Sequence, residues 1–177
     1  SAGWYARNPR GRGVDFFRRM LADAGVSHLR LVIKAGATHS GLDRRAQNRR
    51  LHERQTEADQ AAYLVKRFID RAASGVDVVM WGTVVEDPEP HGTYSLNGLV
   101  YDGRPARGDC APGQTEPCPD PGAGIPKLAY YAFKRLTEVL RGHDARAATE
   151  IVVAAPSVRL FSVPAREGGG TTYVVWR

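Results

Sequence analysis

The side chains best suited to chemistry follow two apolar segments of the chain. The first segment, His28–Ile33, leads directly into Lys34, and the second, Val76–Val85, leads into Glu86 and Asp87. A lysine brings an ammonium that donates hydrogen bonds, whereas a carboxylate accepts them or moves protons. For the two carboxylates, a solvated loop is favoured over contact with a bound ligand.

The polar segment after the first apolar run is rich in arginine. Five arginines recur there at a spacing of four to five residues: Arg44, Arg45, Arg49, Arg50 and Arg54. This spacing places their guanidinium groups along one side of a helical turn or loop. A solvated basic face is the favoured interpretation. The alternative is recognition of a carboxylate or sulfate, which the guanidinium fork fits well. Nucleic acid is disfavoured, because no aromatic residues alternate with these arginines.

Two cysteines, Cys110 and Cys118, lie in one segment rich in proline and glycine, CAPGQTEPC. No further cysteine or histidine stands nearby at a spacing typical of zinc sites. The pattern therefore favours a local disulfide and an oxidising compartment, with two free thiols as the alternative. The 5 histidines are scattered along the chain: His28, His39, His52, His91 and His143. We therefore expect neither a metal nor a cofactor.

Composition indicates a folded chain of ordinary type. The 177 residues are 42% hydrophobic and 25% charged, a balance typical of globular proteins. The formal net charge is +6, and all but four of the 25 basic residues are arginine, which suits an anionic partner. No apolar run reaches the ~20 residues of a membrane-spanning helix. The segment Ser1–Gly13 is polar and basic, unlike a signal peptide.

Helices and strands alternate through most of the sequence. The pattern predicts helices over Val14–Ala24, ending at Gly25, and over Pro126–Arg141, with proline in the first turn. A third helix begins after Thr56, an N-cap in capping-box spacing, and ends at Gly75. Because the two apolar segments between these helices read as strands covered on both faces, we expect them to pair in parallel through right-handed crossovers.

Two long loops and a change of pattern complete the organisation. Ala35–Gln55 and Glu86–Ile125 each leave the carboxyl end of a predicted parallel strand, where α/β folds build their sites. Both far exceed the usual ~4–6 residues of a connection. Beyond Asp144 the sequence predicts short strands joined by turns rich in proline and glycine: Glu150–Ala155, Val158–Val163 and Thr171–Trp176.

Five segments together carry a family resemblance: VIKAGATHSG from Val32, TEADQAAYLVKRFIDRAASGVD from Thr56, VVMWG from Val78, NGLVYDG from Asn97 and PKLAYYAFKRLTEVL from Pro126. In this order and spacing they resemble the last two βα units of the (β/α)8-barrel glycoside hydrolases of clan A, of the β-xylosidase and α-L-iduronidase type. The resemblance implies an α/β chain with part of a (β/α)8 (TIM) barrel in residues 1–144. Residues 145–177 then begin a small accessory β-domain with antiparallel strands.

The resemblance places Lys34 where those enzymes carry a nucleophilic glutamate, two residues before a glycine that Gly36 matches. A retaining glycosidase needs a carboxylate there, about 5–5.5 Å from a second carboxyl group. The family's acid/base glutamate lies on an earlier strand, outside this sequence. The implied parent activity is hydrolysis of O-glycosidic bonds with retention, and this chain is expected to be inactive by that mechanism. The alternatives for Lys34 are a strand-end lysine that reaches solvent and a natural or introduced change from glutamate.

Four more residues receive roles from the resemblance. Trp81 matches a tryptophan that lies under the sugar in such enzymes, and a core tryptophan is the alternative. His39 and Ser40 could bind sugar hydroxyls, as could Glu86, with a plain loop role as the alternative for each.

The expected partner is therefore an oligo- or polysaccharide, acidic if the arginines contact it, in an extracellular or secreted protein. The resemblance also implies that this chain packs against the remainder of the barrel or against a partner chain. Two further functional classes stay open: a carbohydrate- or partner-binding module without enzymatic activity, and a basic nucleic-acid-binding domain. Loss of glycan binding on replacing Trp81 would support both sugar-related classes, and activity gained on restoring glutamate at Lys34 would support the enzymatic parentage. Salt-dependent DNA binding would identify the nucleic-acid-binding class.

Overall fold

The computed structural model describes residues 12–34, 37–38, 40, 55–86, 96–103 and 122–177. Within them the fold is mixed α/β. Its helices are α1 (Arg12–Asp23), α2 (Glu57–Ala73) and α3 (Leu128–Val139). Each lies where the apolar periodicity predicts a helix, with ends shifted by no more than two residues.

The described strands form two small sheets. Strands β1 (Val32–Ile33) and β2 (Val78–Val79) pair in parallel, as predicted, with α2 between them in sequence. The antiparallel sheet has the order β3-β4-β5, formed by Thr149–Ile151, Arg159–Pro164 and Thr171–Trp176. The parallel sheet of the described residues has these two strands and does not close into a barrel.

The parallel strands are shorter and more exposed than the sequence predicts. At the start of β2, the backbone N–H groups of Asp77 and Val78 both donate to the Leu31 carbonyl, at 2.9 and 3.3 Å. The Asp77 carboxylate accepts the Leu31 N–H at 2.8 Å, so a side chain takes the place of a ladder bond. Val32 keeps 50% of its surface exposed. The expectation of strands covered on both faces is wrong, because a two-residue ladder brings few neighbours to each side chain.

Two compact units divide the chain. The terminal unit comprises Ser1–Ile33, Phe68–Val79 and Gly142–Arg177, and the central unit comprises Lys34–Arg67 and Met80–Arg141. The division falls inside α2. The domain boundary after residue 144 stays a prediction.

In the terminal unit, the antiparallel sheet packs around an arginine held between rings and carboxylates. Phe161 is buried and stacks on Trp176 at 4.7 Å between ring centroids. The Arg159 guanidinium lies over both rings and binds Glu150 and Asp70, at 2.9 and 2.8 Å. The hydrogen bonds to Glu150, and next those to Asp70, raise the pKa of Arg159 against the opposing effect of burial. This cluster ties the sheet to the last turns of α2.

The apolar side of α1 also remains exposed. Phe17 and Met20, which the helical spacing places on one side, are 55% and 50% exposed, whereas Val14 is buried. The left-handed Gly25 ends the helix as predicted, with φ +71°. The helix therefore presents an apolar surface in the described structure.

The central unit has a small apolar core with unusual polar content. Leu64, Leu99 and Ala129 are buried, together with the entire side chains of Gln60 and Lys127. Burying a lysine or glutamine is costly unless its donors are paired. The partners of these two side chains therefore control how the unit packs.

The predicted capping box starts α2. The Thr56 hydroxyl accepts the Asp59 N–H at 3.1 Å, and the Asp59 carboxylate accepts the Thr56 N–H at 2.9 Å. At the other end Gly75 adopts φ +76°, as expected of a helix-terminating glycine.

The start of α3 differs from the prediction. Lys127 is the N-cap residue and makes no side-chain capping bond, so Pro126 precedes the helix instead of occupying its first turn. The Leu128 N–H donates instead to the Glu57 carboxylate at 2.7 Å. A carboxylate from α2 therefore satisfies the exposed end of α3.

Among the described residues, no helix combines the length and apolar character needed to cross a bilayer.

The capping box gives a pH-dependent prediction. The hydrogen bonds from Thr56 lower the pKa of Asp59 below its ordinary 3.8. Its stabilising contribution is therefore complete above that value and is lost as the pH falls through the lowered pKa. Asp59→Ala should lower the free energy of unfolding by about 0.5–1 kcal/mol at pH 7.

Urea unfolding followed by far-UV circular dichroism measures this difference at pH 7 and in acid. The control is Glu138→Ala, which removes an exposed carboxylate 3.6 Å from Arg135 and should have little effect. A difference for Asp59→Ala that persists undiminished once the wild-type carboxyl is protonated would contradict the prediction.

Candidate functional site

Lys34 lies immediately after β1 and is exposed to solvent. This placement agrees with a lysine at the carboxyl end of a parallel strand. Ala35 and Gly36, which complete the matched motif, lie outside the described residues. An exposed ammonium at this position would repel the positive charge that develops at an anomeric carbon.

Trp81 lies two residues beyond β2 and is half-buried. Its indole N–H donates to the Asn97 carbonyl at 2.8 Å. The ring packs in a T-shaped arrangement with Tyr63 of α2, with the centroids 6.5 Å apart and the planes at 67°. The indole is therefore held at its polar atom and against a neighbouring ring while part of its surface stays accessible.

Tyr63 is itself held by the next turn of α2. Arg67 donates to the Tyr63 hydroxyl at 3.0 Å, and its guanidinium carbon lies 5.9 Å from the ring centroid. The two residues are four apart on the helix, the spacing at which side chains meet. The aromatic support of Trp81 thus belongs to a rigid element.

Ser40 and Glu86 come together through a residue that the sequence did not single out. The Lys127 ammonium forms an ion pair with the Glu86 carboxylate and donates to the Ser40 hydroxyl at 2.8 Å. Lys127, Ser40 and Glu86 are 0%, 1% and 4% exposed. The expectation of a solvated loop at Glu86 is therefore wrong, since its carboxylate is needed to neutralise a buried ammonium. Its predicted contact with substrate stays a prediction.

An aromatic ring lies against the same ammonium. The Lys127 nitrogen is 4.6 Å from the centroid of the buried Tyr101 ring, a distance suited to a cation–π interaction. The Tyr101 hydroxyl in turn donates to Glu57, the carboxylate that caps α3. A chain of polar contacts therefore links the start of α2 to the start of α3.

Close backbone approach explains a glycine at the centre of the cluster. A Cβ atom added to Gly98 would lie 2.8 Å from both the Glu86 Cγ and the Val85 carbonyl carbon. Such contacts force neighbouring atoms to move. Gly98 therefore lets the segment from residue 96 to 103 lie directly against the chain that carries Glu86.

Gln60 also binds that segment. Its side-chain nitrogen lies 2.9, 3.3 and 3.4 Å from the carbonyl oxygens of Thr38, Gly98 and Leu96, and its two N–H groups are shared among these acceptors. The Leu96 carbonyl also accepts from the Ser40 N–H at 3.3 Å and from Lys127 at 3.4 Å. Three donors from separate parts of the central unit thus converge on one carbonyl.

The remaining predicted site residues lie outside the described part of the chain. They are His39, the arginines Arg44, Arg45 and Arg49, and the cysteines Cys110 and Cys118. Their predicted roles in sugar contact, anion binding and disulfide formation stay predictions. In the described part of the chain, no group of three histidine, cysteine or carboxylate side chains could hold a metal ion.

Sequence reasoning missed both Lys127 and Gln60. The available signal was weak: Lys127 is one charged residue at the head of an apolar helix, and Gln60 falls between the apolar positions of α2. Neither spacing distinguishes a buried side chain from a solvated one.

The contact between Ser40 and Lys127 invites comparison with serine–lysine catalytic pairs. In such a pair the lysine must be neutral in order to remove the hydroxyl proton. Lys127 instead donates to Ser40 while it compensates the charge of Glu86. The cluster can therefore hold backbone segments in place, but it is not arranged to activate a nucleophile.

The ion pair gives a stability prediction. Lys127→Met removes the ammonium and leaves the Glu86 carboxylate buried without it, which should lower the free energy of unfolding by about 3–5 kcal/mol. Urea denaturation compares this variant with Lys134→Met, whose lysine lies exposed on α3.

A second variant tests whether the uncompensated charge causes the loss. Adding Glu86→Gln to Lys127→Met should recover part of the stability, because the buried charge is gone. A loss no greater than that of Lys134→Met would overturn the prediction.

Comparison with known protein families, with curated proteins and with solved structures finds no match to this chain. The resemblance to glycoside hydrolases therefore depends on the five sequence segments and on the chemistry of the residues within them.

Proposed function

We propose that this chain is a non-catalytic, carbohydrate-binding relative of the retaining (β/α)8-barrel glycoside hydrolases. In this proposal residues 1–144 correspond to the last two βα units of the barrel, and residues 145–177 begin the accessory β-domain. The observation that carries the proposal is the placement of Trp81, which is partly exposed, hydrogen-bonded through its indole N–H and located just beyond a parallel strand.

The order of elements supports the barrel assignment. A parallel pair of strands, β1 and β2, brackets the helix α2, and a further helix follows β2. Repeated strand–helix units of this type build (β/α)8 barrels, whose sites lie at the carboxyl ends of the strands. Lys34 and Trp81 both follow those ends.

The positive charge of Lys34 supports the non-catalytic part of the proposal. A retaining enzyme forms a covalent bond between a carboxylate oxygen and the anomeric carbon. An exposed ammonium at that position cannot form the glycosyl ester. Glu86 is a poor substitute, because its carboxylate is buried against Lys127 and would leave that charge uncompensated if it moved.

The surroundings of Trp81 support retention of sugar binding. The apolar C–H face of a pyranose packs well on an indole face. With its N–H bonded to Asn97 and its ring packed against Tyr63, Trp81 loses little side-chain freedom when a sugar binds. A preformed aromatic surface of this kind suits a binding module as well as an enzyme.

Two further parts of the proposal concern partners. The apolar surface of α1, with Phe17 and Met20 about half exposed, supports packing of the terminal unit against the rest of a barrel or a partner chain. The net charge of +6 supports an acidic glycan, and an extracellular location would suit both the glycan and the predicted disulfide.

Replacing the indole tests the binding role. Trp81→Ala should weaken binding of xylo-oligosaccharides or oligosaccharides containing uronic acid by at least about tenfold, because the stacking surface is lost. Isothermal titration calorimetry measures the affinity. The control is Tyr173→Ala, which removes an aromatic side chain that is 62% exposed on β5. Equal affinities of wild type and Trp81→Ala would refute Trp81 as the sugar-binding residue.

Restoring the carboxylate tests the enzymatic parentage. Lys34→Glu should release dinitrophenolate from a dinitrophenyl glycoside faster than the wild type, since this leaving group departs without an acid catalyst. An oxygen of the introduced carboxylate would bond to the anomeric carbon as the bond to the phenolate breaks, and mass spectrometry would detect the glycosyl ester. Lys34→Gln, which carries no charge, is the control. An unchanged rate would argue against a glycosidase parent and leave the binding role to the calorimetric test.

A further inference from the structure

Trp81 owes its orientation to an acceptor that is not part of any regular ladder. The acceptor is the main-chain carbonyl of Asn97, in the short segment Leu96–Gly98. None of these three residues belongs to a helix or a strand. The direction of the indole therefore depends on whatever fixes this segment.

Two buried side chains fix it by binding the carbonyls of the residues that flank Asn97. Gln60 donates to the carbonyls of both Leu96 and Gly98, and Lys127 donates to that of Leu96. Both side chains are fully buried, and each is anchored elsewhere by a shorter bond. Gln60 is held to Thr38 at 2.9 Å, and Lys127 to Ser40 at 2.8 Å.

We infer that Gln60 and Lys127 are positioning residues for Trp81: by holding the carbonyls around Asn97, they set the plane of the indole that receives the sugar. They act through the backbone and need no contact with the ligand. The role in sugar binding rests on the proposed function, whereas the role in orienting Trp81 stands independently of it.

Gln60 is the better residue to test, because its replacement leaves no buried charge. Gln60→Met keeps the length of the side chain and removes its donors, so the carbonyls of Leu96 and Gly98 lose a partner. Gln55→Met is the matched control. Gln55 accepts the Thr38 hydroxyl at 2.8 Å, and within the described part of the chain its side chain does not bond to Leu96 or Gly98.

Tryptophan fluorescence reports how far the indole is exposed to solvent and therefore whether it keeps its position. In the variant Trp4→Phe/Trp176→Phe, Trp81 is the remaining tryptophan and reports alone. Gln60→Met should raise the acrylamide quenching constant of Trp81 about twofold and shift its emission to longer wavelength, because a less restrained segment exposes the indole. Gln55→Met should change neither. Far-UV circular dichroism confirms that each variant is folded, and Gln60→Asn, which keeps a shorter amide, gives a smaller effect in the same direction if Gln60→Met does not fold.

Titration with xylohexaose separates this inference from the proposed function. If wild type binds, Gln60→Met should weaken binding about tenfold, the loss expected when buried acceptors lose their donor. Unchanged Trp81 fluorescence in folded Gln60→Met, or an equal change in Gln55→Met, overturns the positioning role. A clear fluorescence change in a protein that binds no glycan upholds the positioning role and overturns the proposed function.

Discussion

The central unit depends on how one buried ammonium is compensated. Lys127 has no exposed surface, and its charge is balanced by Glu86, a serine hydroxyl and the face of Tyr101. A buried ion pair does not by itself make a protein more stable than an apolar replacement would. It does require particular partners in particular places. In this unit the partners come from chain segments far apart in sequence, so the pair specifies how segments with little regular structure must pack.

The aromatic surface at Trp81 follows from that packing. The indole bonds to a backbone carbonyl, and the neighbouring carbonyls are held by Gln60 and Lys127. Gly98 permits the close approach, since a side chain there would collide with Glu86. The orientation of this partly exposed ring thus depends on buried side chains that lie outside its own hydrogen bond.

The sequence predicted those features that depend on local pattern. Apolar periodicity located all three described helices, and the Thr56 capping box and the glycine at position 75 marked the ends of α2. Strand extent and burial were predicted poorly, as Val32 shows, because apolar character does not reveal how many neighbours a strand will have. The buried roles of Lys127 and Gln60 depend on pairing across long sequence separations, which leaves no periodic signal.

Glu86 shows why an acidic residue near a strand end is an incomplete guide to function. Its position after β2 made contact with a ligand plausible, and its polarity favoured solvent, yet the structure gives it a buried cationic partner. The role of Glu86 is decided by the charge of its neighbour Lys127, which lies 41 residues further along the sequence. The reverse holds for Lys34, which lies exposed where the resemblance calls for a carboxylate. The two residues therefore differ in both charge and exposure: Glu86 is a buried carboxylate that supports the scaffold, whereas Lys34 carries an exposed ammonium.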